Sequence, residues 1–253
     1  PTQPAIGSNL SNYLVAWGVY QSGLDLGASV IGASGATLKA PYVLCPATRG
    51  SRIPAIAFAG DRYTVAFEDD RRDPGGNDIW LAQVDSSGNE LNCSAVTTIA
   101  TINQVEPDIT AVGSSILVAW HQAQAANIDV LAARVTQTGT VTDVDGYGVV
   151  SGTGGQQYPA IESDGATVLV AWTDTTDNHV YSALTDLAAQ TSSRTDLLTL
   201  GTAGRPAIAF GADRFLVVAD VLAATSGLDI VGRFVGTDGV PIGQSFVISG
   251  QCL

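Results

Sequence analysis

An apolar run of five residues occurs five times along the chain, with polar and glycine-rich segments between the copies. The runs are "YLVAW" (13–17), "YTVAF" (63–67), "ILVAW" (116–120), "VLVAW" (168–172) and "FLVVA" (215–219). Short apolar runs rich in β-branched residues predict strands that are buried on both faces. A Pro-x-Ile element precedes each run, and its proline lies nine residues before the run in all five copies. A fixed interval of this kind indicates a hairpin with a fixed turn.

A second fixed interval follows each run and predicts a second hairpin. Its two ends lie ten residues apart in every copy: Asp25 and Gly35, Asp78 and Gly88, Asp129 and Gly139, His179 and Ala189, and Asp229 and Gly239. Each unit of about 50 residues therefore contains four short strands, which is typical of a β-propeller blade. We expect an all-β, five-bladed β-propeller with four antiparallel strands per blade. It would form a single domain over 1–253, with blades at about 1–50, 51–103, 104–155, 156–202 and 203–253.

Composition narrows the classes of partner. The formal net charge is −13, from 24 acidic and 11 basic residues, so nucleic acid is not expected as a partner. No apolar stretch approaches the roughly 18 residues of a membrane span. The sequence contains no methionine and begins at Pro1, which suggests a removed leader or an excised domain. We expect an extracytoplasmic protein, secreted or displayed at the cell surface.

Three cysteines allow one disulfide. Cys252 lies where the fifth blade would meet the first, and Cys45 lies on the predicted outer strand of the first blade. The sequence therefore predicts a Cys45–Cys252 disulfide, with Cys93 unpaired. The cysteines and the two histidines match no zinc-site spacing.

The segment "VAFEDDRRDPGGNDIWLAQVDSSGNEL" (65–91) resembles the W-x-D-x-R…D-I repeat of bacterial secreted and surface β-propellers. That repeat is distantly similar to the sialidase, or BNR, repeat. The turns that would correspond to its Asp-boxes, such as "VDSSGNEL" (84–91), lack the Thr-Trp that ends the box. The resemblance implies the propeller fold and a surface-associated setting, but not sialidase catalysis.

Ligand-binding candidates are polar and aromatic residues in the loops expected at one mouth of the propeller. Most precede the first strand of a blade, and Trp80 is the tryptophan outside the repeated runs. They are Arg52, Gln104, Gln157, Tyr158, Arg205 and Trp80. Gln, Tyr, Trp and Arg around a shallow mouth suit recognition of a neutral sugar. The alternative is a solvated polar rim.

The segment "EDDRRDPGGND" (68–78) holds the densest group of charges in the chain. Carboxylate oxygens at short spacing can hold calcium, and the candidate ligands are Asp69, Asp70, Asp73 and Asp78. The segment does not match an EF-hand. We expect no cofactor, with Asp70 and Arg71 paired locally and Asp78 capping the strand turn, and keep calcium as the alternative.

Two carboxylates break the pattern of small residues in the first strands of the blades. Asp108 and Glu162 stand where other copies carry Ala or Gly, and Glu106 lies close by. Hydrogen bonds to backbone amides would compensate for their burial. Alternatively, Asp108 and Glu162 form an acid–base pair for sugar hydrolysis, with Glu106 as a third acid.

Near-identical blades favour repeated interaction surfaces over one asymmetric cleft. The sequence therefore predicts a non-enzymatic binding or scaffold module that binds a glycan or protein, or that self-assembles into an extracellular structure. The alternative is a glycoside hydrolase of the five-bladed propeller type.

Overall fold

The computed structural model describes residues 2–20, 24–47, 50–72, 76–99, 101–124, 127–150, 154–199, 202–223 and 227–250. Within these ranges the strands form five four-stranded antiparallel sheets, each built from strands consecutive in sequence. This confirms the five-bladed β-propeller fold class. Among the described residues, no helix has the length and apolar character that crossing a membrane requires.

The first two sheets hold strands one to eight. Their bounds are β1 (Thr2–Ser8), β2 (Asn12–Tyr20), β3 (Leu24–Gly32), β4 (Thr37–Leu44), β5 (Ser51–Ala59), β6 (Arg62–Asp69), β7 (Asp78–Asp85) and β8 (Glu90–Ala95). The third sheet comprises β9 (Asn103–Val112), β10 (Ser115–Gln124), β11 (Asn127–Val135) and β12 (Tyr147–Val150).

The last two sheets hold strands thirteen to twenty. Their bounds are β13 (Gln156–Ser163), β14 (Val168–Asp174), β15 (His179–Thr185), β16 (Thr195–Thr199), β17 (Thr202–Gly211), β18 (Arg214–Ala223), β19 (Gly227–Gly236) and β20 (Pro241–Ser249). All five Pro-x-Ile elements lie in the first strand of a sheet, and all five apolar runs lie in the second.

By contacts the chain divides into two compact units. Unit one comprises Pro1–Gln122 and Ala132–Tyr147, and unit two comprises Ala123–Leu131 and Gly148–Leu253.

The apolar runs build the cores. In unit one, Leu14 of β2 and Tyr63, Val65 and Phe67 of β6 belong to one buried cluster. In unit two, the corresponding cluster joins β14 and β18 residues, among them Leu169, Phe215 and Val217. The recurring Trp120 and Trp172 are fully buried. These tryptophans therefore pack the sheets.

A β-bulge directly precedes the repeated proline. In the second sheet Arg52 pairs with Glu68, but Ala55 pairs with Ala66, so two residues lie opposite Phe67. The first and fourth sheets shift register at the same place, and the fifth sheet shifts one residue earlier, so that Pro206 itself is paired. The residue before the proline has a left-handed φ in four sheets: Gln3 (47°), Ile53 (52°), Glu106 (56°) and Tyr158 (56°). A bulge redirects the side chain that it carries.

The structure pairs Cys45 with Cys93, with 5.8 Å between their Cα atoms. The predicted Cys45–Cys252 disulfide is therefore wrong, and Cys93 is not free; Cys252 itself lies outside the described residues. Cys45 directly follows β4 and Cys93 lies in β8. The disulfide thus joins the fourth strands of two successive sheets.

The turn before each fourth strand explains the ten-residue interval. In all five turns, the residue that ends this interval donates its N–H to the carbonyl oxygen three residues earlier. Four of these residues are glycines with φ between 78° and 88°, whereas in the fourth sheet Ala189 has a φ of 58°. A left-handed conformation is unfavourable for any residue with a Cβ atom.

We therefore expect Ala189→Gly to raise the free energy of unfolding by about 0.5–1 kcal/mol, since it relieves the left-handed alanine. Gly35→Ala is the matched reverse change, because a Cβ there meets no atom within 4 Å and adds backbone strain alone. It should lower the free energy of unfolding by about 1 kcal/mol. Urea denaturation measures both, and equal signs for the two changes would contradict the explanation.

Candidate functional site

A group of charged residues lies at one edge of the second sheet in unit one. At this edge β5 begins, β6 ends and β7 begins, because the strands are antiparallel: Ser51 pairs with Asp69, which pairs with Asp78. The start of β9 reaches the same edge, since the Gln104 N–H donates to the Asn77 carbonyl oxygen over 2.8 Å.

Glu68 is the centre of this group. Its side chain is 2% exposed, and donors contact both of its oxygens. Oε2 accepts hydrogen bonds from Arg52 Nε at 3.0 Å and Asn77 Nδ2 at 3.1 Å. Oε1 accepts the backbone N–H of Glu106 at 2.8 Å. We call Arg52, Glu68, Asn77 and Glu106 the Glu68 cluster.

Burial raises the pKa of Glu68 above its ordinary value, and the nearby charge of Glu106 raises it further. The hydrogen bond from the Glu106 N–H and the Arg52 guanidinium act in the opposite direction but do not cancel the effect of burial. A carboxyl group with a raised pKa keeps its proton closer to neutral pH. Two neighbouring carboxyl groups with different environments are a common arrangement for acid–base chemistry.

The accessible members of the cluster are Arg52 and Glu106. The Arg52 side chain is 29% exposed, and its Nη2 donates to Asn77 Oδ1 over 2.9 Å. Glu106 is half-buried and directly precedes the repeated proline of β9, with a φ of 56°. Non-glycine residues in the left-handed region are often found at functional sites. Arg52 and Glu106 are therefore the residues through which the cluster meets solvent.

Asp69 faces the opposite side of β6 and is completely buried. Its carboxylate accepts hydrogen bonds from Ser51 Oγ, from the Arg71 backbone N–H and from Arg71 Nε and Nη2. The two Arg71 side-chain bonds are both 2.7 Å long. This is a charge-assisted, two-pronged ion pair.

The candidate calcium ligands are not brought together. Asp69 is bound by Arg71, Asp78 lies 4.0 Å from Arg72 Nε, and Asp73 is outside the described residues. Across the described ranges, no group of three or more His, Cys, Asp or Glu residues could hold a metal ion. Arg71 pairs with Asp69, so the predicted Asp70–Arg71 pair is wrong.

Asp108 and Glu162 lie in different units, so their expected pairing stays a prediction. Both are half-buried, and each carboxylate accepts the backbone N–H of the next residue: Asp108 Oδ1 from Ile109 and Glu162 Oε1 from Ser163, each over 2.9 Å. These bonds are the backbone compensation that the sequence analysis expected. Glu106, the third acid named from the sequence, donates its backbone N–H to the carboxyl group of Glu68.

In unit two, Tyr158 and Arg205 form a stacked pair, with the Arg205 guanidinium carbon 4.3 Å from the centre of the Tyr158 ring. Both are the residue before the repeated proline of their sheet. Gln157, next to Tyr158, is half-buried and pairs with Thr173 of β14. Ligand contact by these three residues stays a prediction.

Two other ligand-binding candidates are less accessible than expected. Gln104 is fully buried, and its Oε1 lies 3.3 Å from Thr97 Oγ1. Trp80 is half-buried, and the Arg71 guanidinium carbon lies 4.1 Å from its ring centre. Each of these side chains packs against a neighbouring loop. The expectation of an exposed ligand contact is therefore wrong for the fully buried Gln104, and ligand contact by the half-buried Trp80 stays a prediction.

Sequence reasoning did not select Glu68 and Asn77 as site residues. One feature of the sequence could have indicated them. The fixed nine-residue interval predicts the β5–β6 hairpin and so places the start of β5 beside the end of β6. The disulfide also had a signal, because Cys45 and Cys93 are 48 residues apart, which is about one repeat. Equivalent positions in successive repeats lie on adjacent sheets.

Comparisons with known proteins support the fold. No family model and no curated protein sequence matches the chain. Solved structures do match it. A subtype N10 neuraminidase-like protein of A/little yellow-shouldered bat/Guatemala/060/2010 has a TM-score of 0.62 at 11% identity, over 98% of this chain and 81% of that chain.

Two further matches are glycoside hydrolases. A thermostable family-43 glycoside hydrolase has a TM-score of 0.58 at 10% identity, over 99% of this chain and 94% of that chain. The α-L-arabinofuranosidase from Lactobacillus brevis has a TM-score of 0.57 at 11% identity, over 95% and 93% of the two chains. At these identities the likeness establishes the fold, which is that of propeller-type sialidase-like and family-43 proteins.

These matches correct the functional expectation. The first expectation was a non-enzymatic binding or scaffold module. The matched solved structures, however, include glycoside hydrolases, and each match extends over nearly the whole of both chains. They support the alternative, a glycoside hydrolase of the five-bladed propeller type.

Proposed function

We propose that the protein hydrolyses glycosidic bonds and uses Glu68 and Glu106 as its acid–base pair. One observation carries the proposal: Glu68 is a buried carboxyl group with a raised pKa, and it accepts the backbone N–H of Glu106, whose own carboxyl group is close enough to raise that pKa further. Glycoside hydrolysis generally needs one carboxyl group that holds a proton for the leaving oxygen and another that is ionised. The Glu68 cluster contains both kinds.

The two carboxyl groups differ in access, which assigns their roles. Glu106 is half-buried at the start of β9 and is the carboxyl group that substrate reaches. Glu68 lies behind it, and burial raises its pKa above the ordinary value, which favours the proton-holding role for this group. Arg52 and Asn77 fix the orientation of Glu68, and the exposed part of Arg52 can bind a sugar oxygen.

The charge of the chain favours a neutral substrate. With 24 acidic and 11 basic residues, the protein repels a polyanionic glycan at neutral pH. A neutral pentose or hexose polymer meets no such repulsion. Together with the likeness to an α-L-arabinofuranosidase, this makes arabinose-containing glycans the first substrates to test.

The test is hydrolysis of nitrophenyl α-L-arabinofuranoside, arabinan, galactan and a sialoside by the purified protein. We expect release of nitrophenol or new reducing ends from at least one neutral substrate and none from the sialoside. Asp238→Asn is the matched control, since this turn residue bonds the Val240 N–H and lies outside the cluster. Glu106→Gln should abolish hydrolysis while the control retains it. Hydrolysis of no neutral substrate, or equal hydrolysis by both variants, would overturn the proposal.

A further inference from the structure

Arg71 connects the disulfide to the end of β6. Its Nη2 donates to the Cys45 carbonyl oxygen over 2.9 Å and lies 3.4 Å from Cys45 Sγ, while Nη1 lies 4.0 Å from Cys93 Sγ. The same guanidinium binds both oxygens of Asp69 and covers the Trp80 ring. One side chain therefore contacts both cysteines, the end of β6 and the face of β7.

Cys45 is held from three directions. Its N–H donates to Glu90 Oε2 over 2.7 Å, its carbonyl oxygen accepts from Arg71, and its sulfur is bonded to Cys93. Its φ of 53° lies in the left-handed region, which a non-glycine residue keeps only when its surroundings hold it there. The disulfide thus helps to fix the carbonyl oxygen that Arg71 binds.

The contacts continue from Arg71 to the Glu68 cluster. Asp69 Oδ2 accepts a hydrogen bond from Arg71 Nη2 and another, over 2.6 Å, from Ser51 Oγ. The next pair along the same two strands is Arg52 and Glu68. Because Ser51 and Asp69 set the spacing of β5 and β6 at this edge, they also set the position of the neighbouring Arg52–Glu68 hydrogen bond.

We propose that Arg71 is a positioning residue that couples the Cys45–Cys93 disulfide to Glu68, so that reduction of the disulfide displaces Glu68 and lowers turnover. The effect on turnover rests on the proposed function, whereas the displacement does not. The reductant is a dithiol such as dithiothreitol. Two thiol–disulfide exchanges give two cysteine thiols and the cyclic disulfide of the reagent.

The dithiol has access to this region. Cys93 is half-buried, whereas Cys45 is 2% exposed, so Cys93 is the more accessible sulfur. A surface cleft of about 630 Å³ lies beside them and is lined by Pro46, Ala47, Arg71 and Arg72.

The experiment compares four forms of the full chain: wild type and Arg71→Ala, each oxidised and reduced by dithiothreitol. The structural readout is hydrogen exchange of the Glu106 amide, because this N–H donates directly to Glu68 Oε1. We expect at least tenfold faster exchange after reduction and in Arg71→Ala. The Thr175 amide of unit two, which donates to Gly155, should be unchanged.

The kinetic readout is kcat on the substrate that the wild type hydrolyses. Misplacement of a catalytic group by about 1 Å can cost on the order of 100-fold, so we expect a ten- to hundredfold fall in kcat with little change in KM. Reduction should lower kcat of Arg71→Ala by less than about twofold, because coupled changes are not additive.

Two further variants separate positioning from a general loss of stability. Arg71→Lys keeps the charge but cannot form the two-pronged contact with Asp69, so it should not restore exchange protection. Arg72→Ala removes the neighbouring arginine, which lies near the Thr97 and Thr98 carbonyl oxygens, and should leave the Glu106 amide unchanged. Circular dichroism confirms that each form is folded at the assay temperature.

An unchanged Glu106 amide in reduced wild type or in Arg71→Ala would overturn the inference, as would additive effects of the two changes. If the wild type hydrolyses no glycan, the proposed function fails, but amide exchange still decides whether Arg71 positions Glu68. The two failures are therefore distinguishable.

Discussion

Glu106→Gln is expected to lower kcat on nitrophenyl α-L-arabinofuranoside by about 10²–10⁴-fold, the range that a positioned acid or base contributes. Glutamine keeps the size of the side chain and the backbone N–H that binds Glu68, but it cannot accept or donate the proton. The free energy of unfolding should therefore change little. Steady-state kinetics and urea denaturation of the same preparation measure both quantities.

The pH dependence of kcat provides the control for this prediction. If Glu68 must be protonated, activity falls as pH rises through its raised pKa. Glu68→Gln carries no such proton, so its residual activity should lack this fall. The acid–base assignment would be contradicted if the activity of Glu68→Gln still fell with rising pH as in the wild type. It would also be contradicted if the kcat of Glu106→Gln stayed within tenfold of the wild-type value.

Trp172→Ala is expected to lower the free energy of unfolding by about 3–5 kcal/mol, as large-to-small changes of buried aromatic residues do. Trp172 is fully buried in β14, and its ring stacks near Tyr181 with 6.2 Å between ring centres. The change leaves a cavity inside unit two. Chemical denaturation monitored by circular dichroism measures the loss.

Leu10→Ala is the control for this second prediction, because Leu10 is 98% exposed. It should change the free energy of unfolding by no more than about 0.5 kcal/mol. A loss below about 1 kcal/mol for Trp172→Ala would contradict the assignment of the recurring tryptophans to the core.

The strands were predictable because the signals are local. The distance from each proline to its apolar run fixes a hairpin, and the turn residues Gly35 and Gly88 have the left-handed φ that their spacing suggests. These features depend on neighbouring residues in the chain. Propensity and periodicity therefore locate them without knowledge of tertiary contacts.

The contact between Arg52 and Glu68 was harder to predict than the strands, because a bulge changes the pairing of β5 with β6. Ala59 pairs with Arg62, and continuing that register along β5 would place Arg52 opposite Asp69. The bulge removes one position, so Arg52 lies opposite Glu68 instead. It depends on a left-handed residue directly before proline, where propensity favours extended backbone. The sequence therefore does not indicate the shift.

The predicted cysteine pairing was wrong for a different reason. The Cys45–Cys252 pairing assumed that the fifth blade meets the first near Cys252, whereas the 48-residue separation of Cys45 and Cys93 is about one repeat length. Function was the least predictable property, since one fold supports many activities. The contact between Glu68 and the Glu106 N–H joins residues 38 positions apart, and no local pattern reports it.

The pre-proline bulge has a consequence for how such a protein diversifies. Each copy of the repeat carries a different residue there, Gln3, Ile53, Glu106, Tyr158 or Arg205, beside the same Pro-x-Ile. In the first, second, fourth and fifth sheets this position lies outside the regular pairing of the strand, so a single codon change there alters surface chemistry without disturbing the ladder. Tandem duplication of a blade gene segment would thus supply a new variable position together with its fixed support.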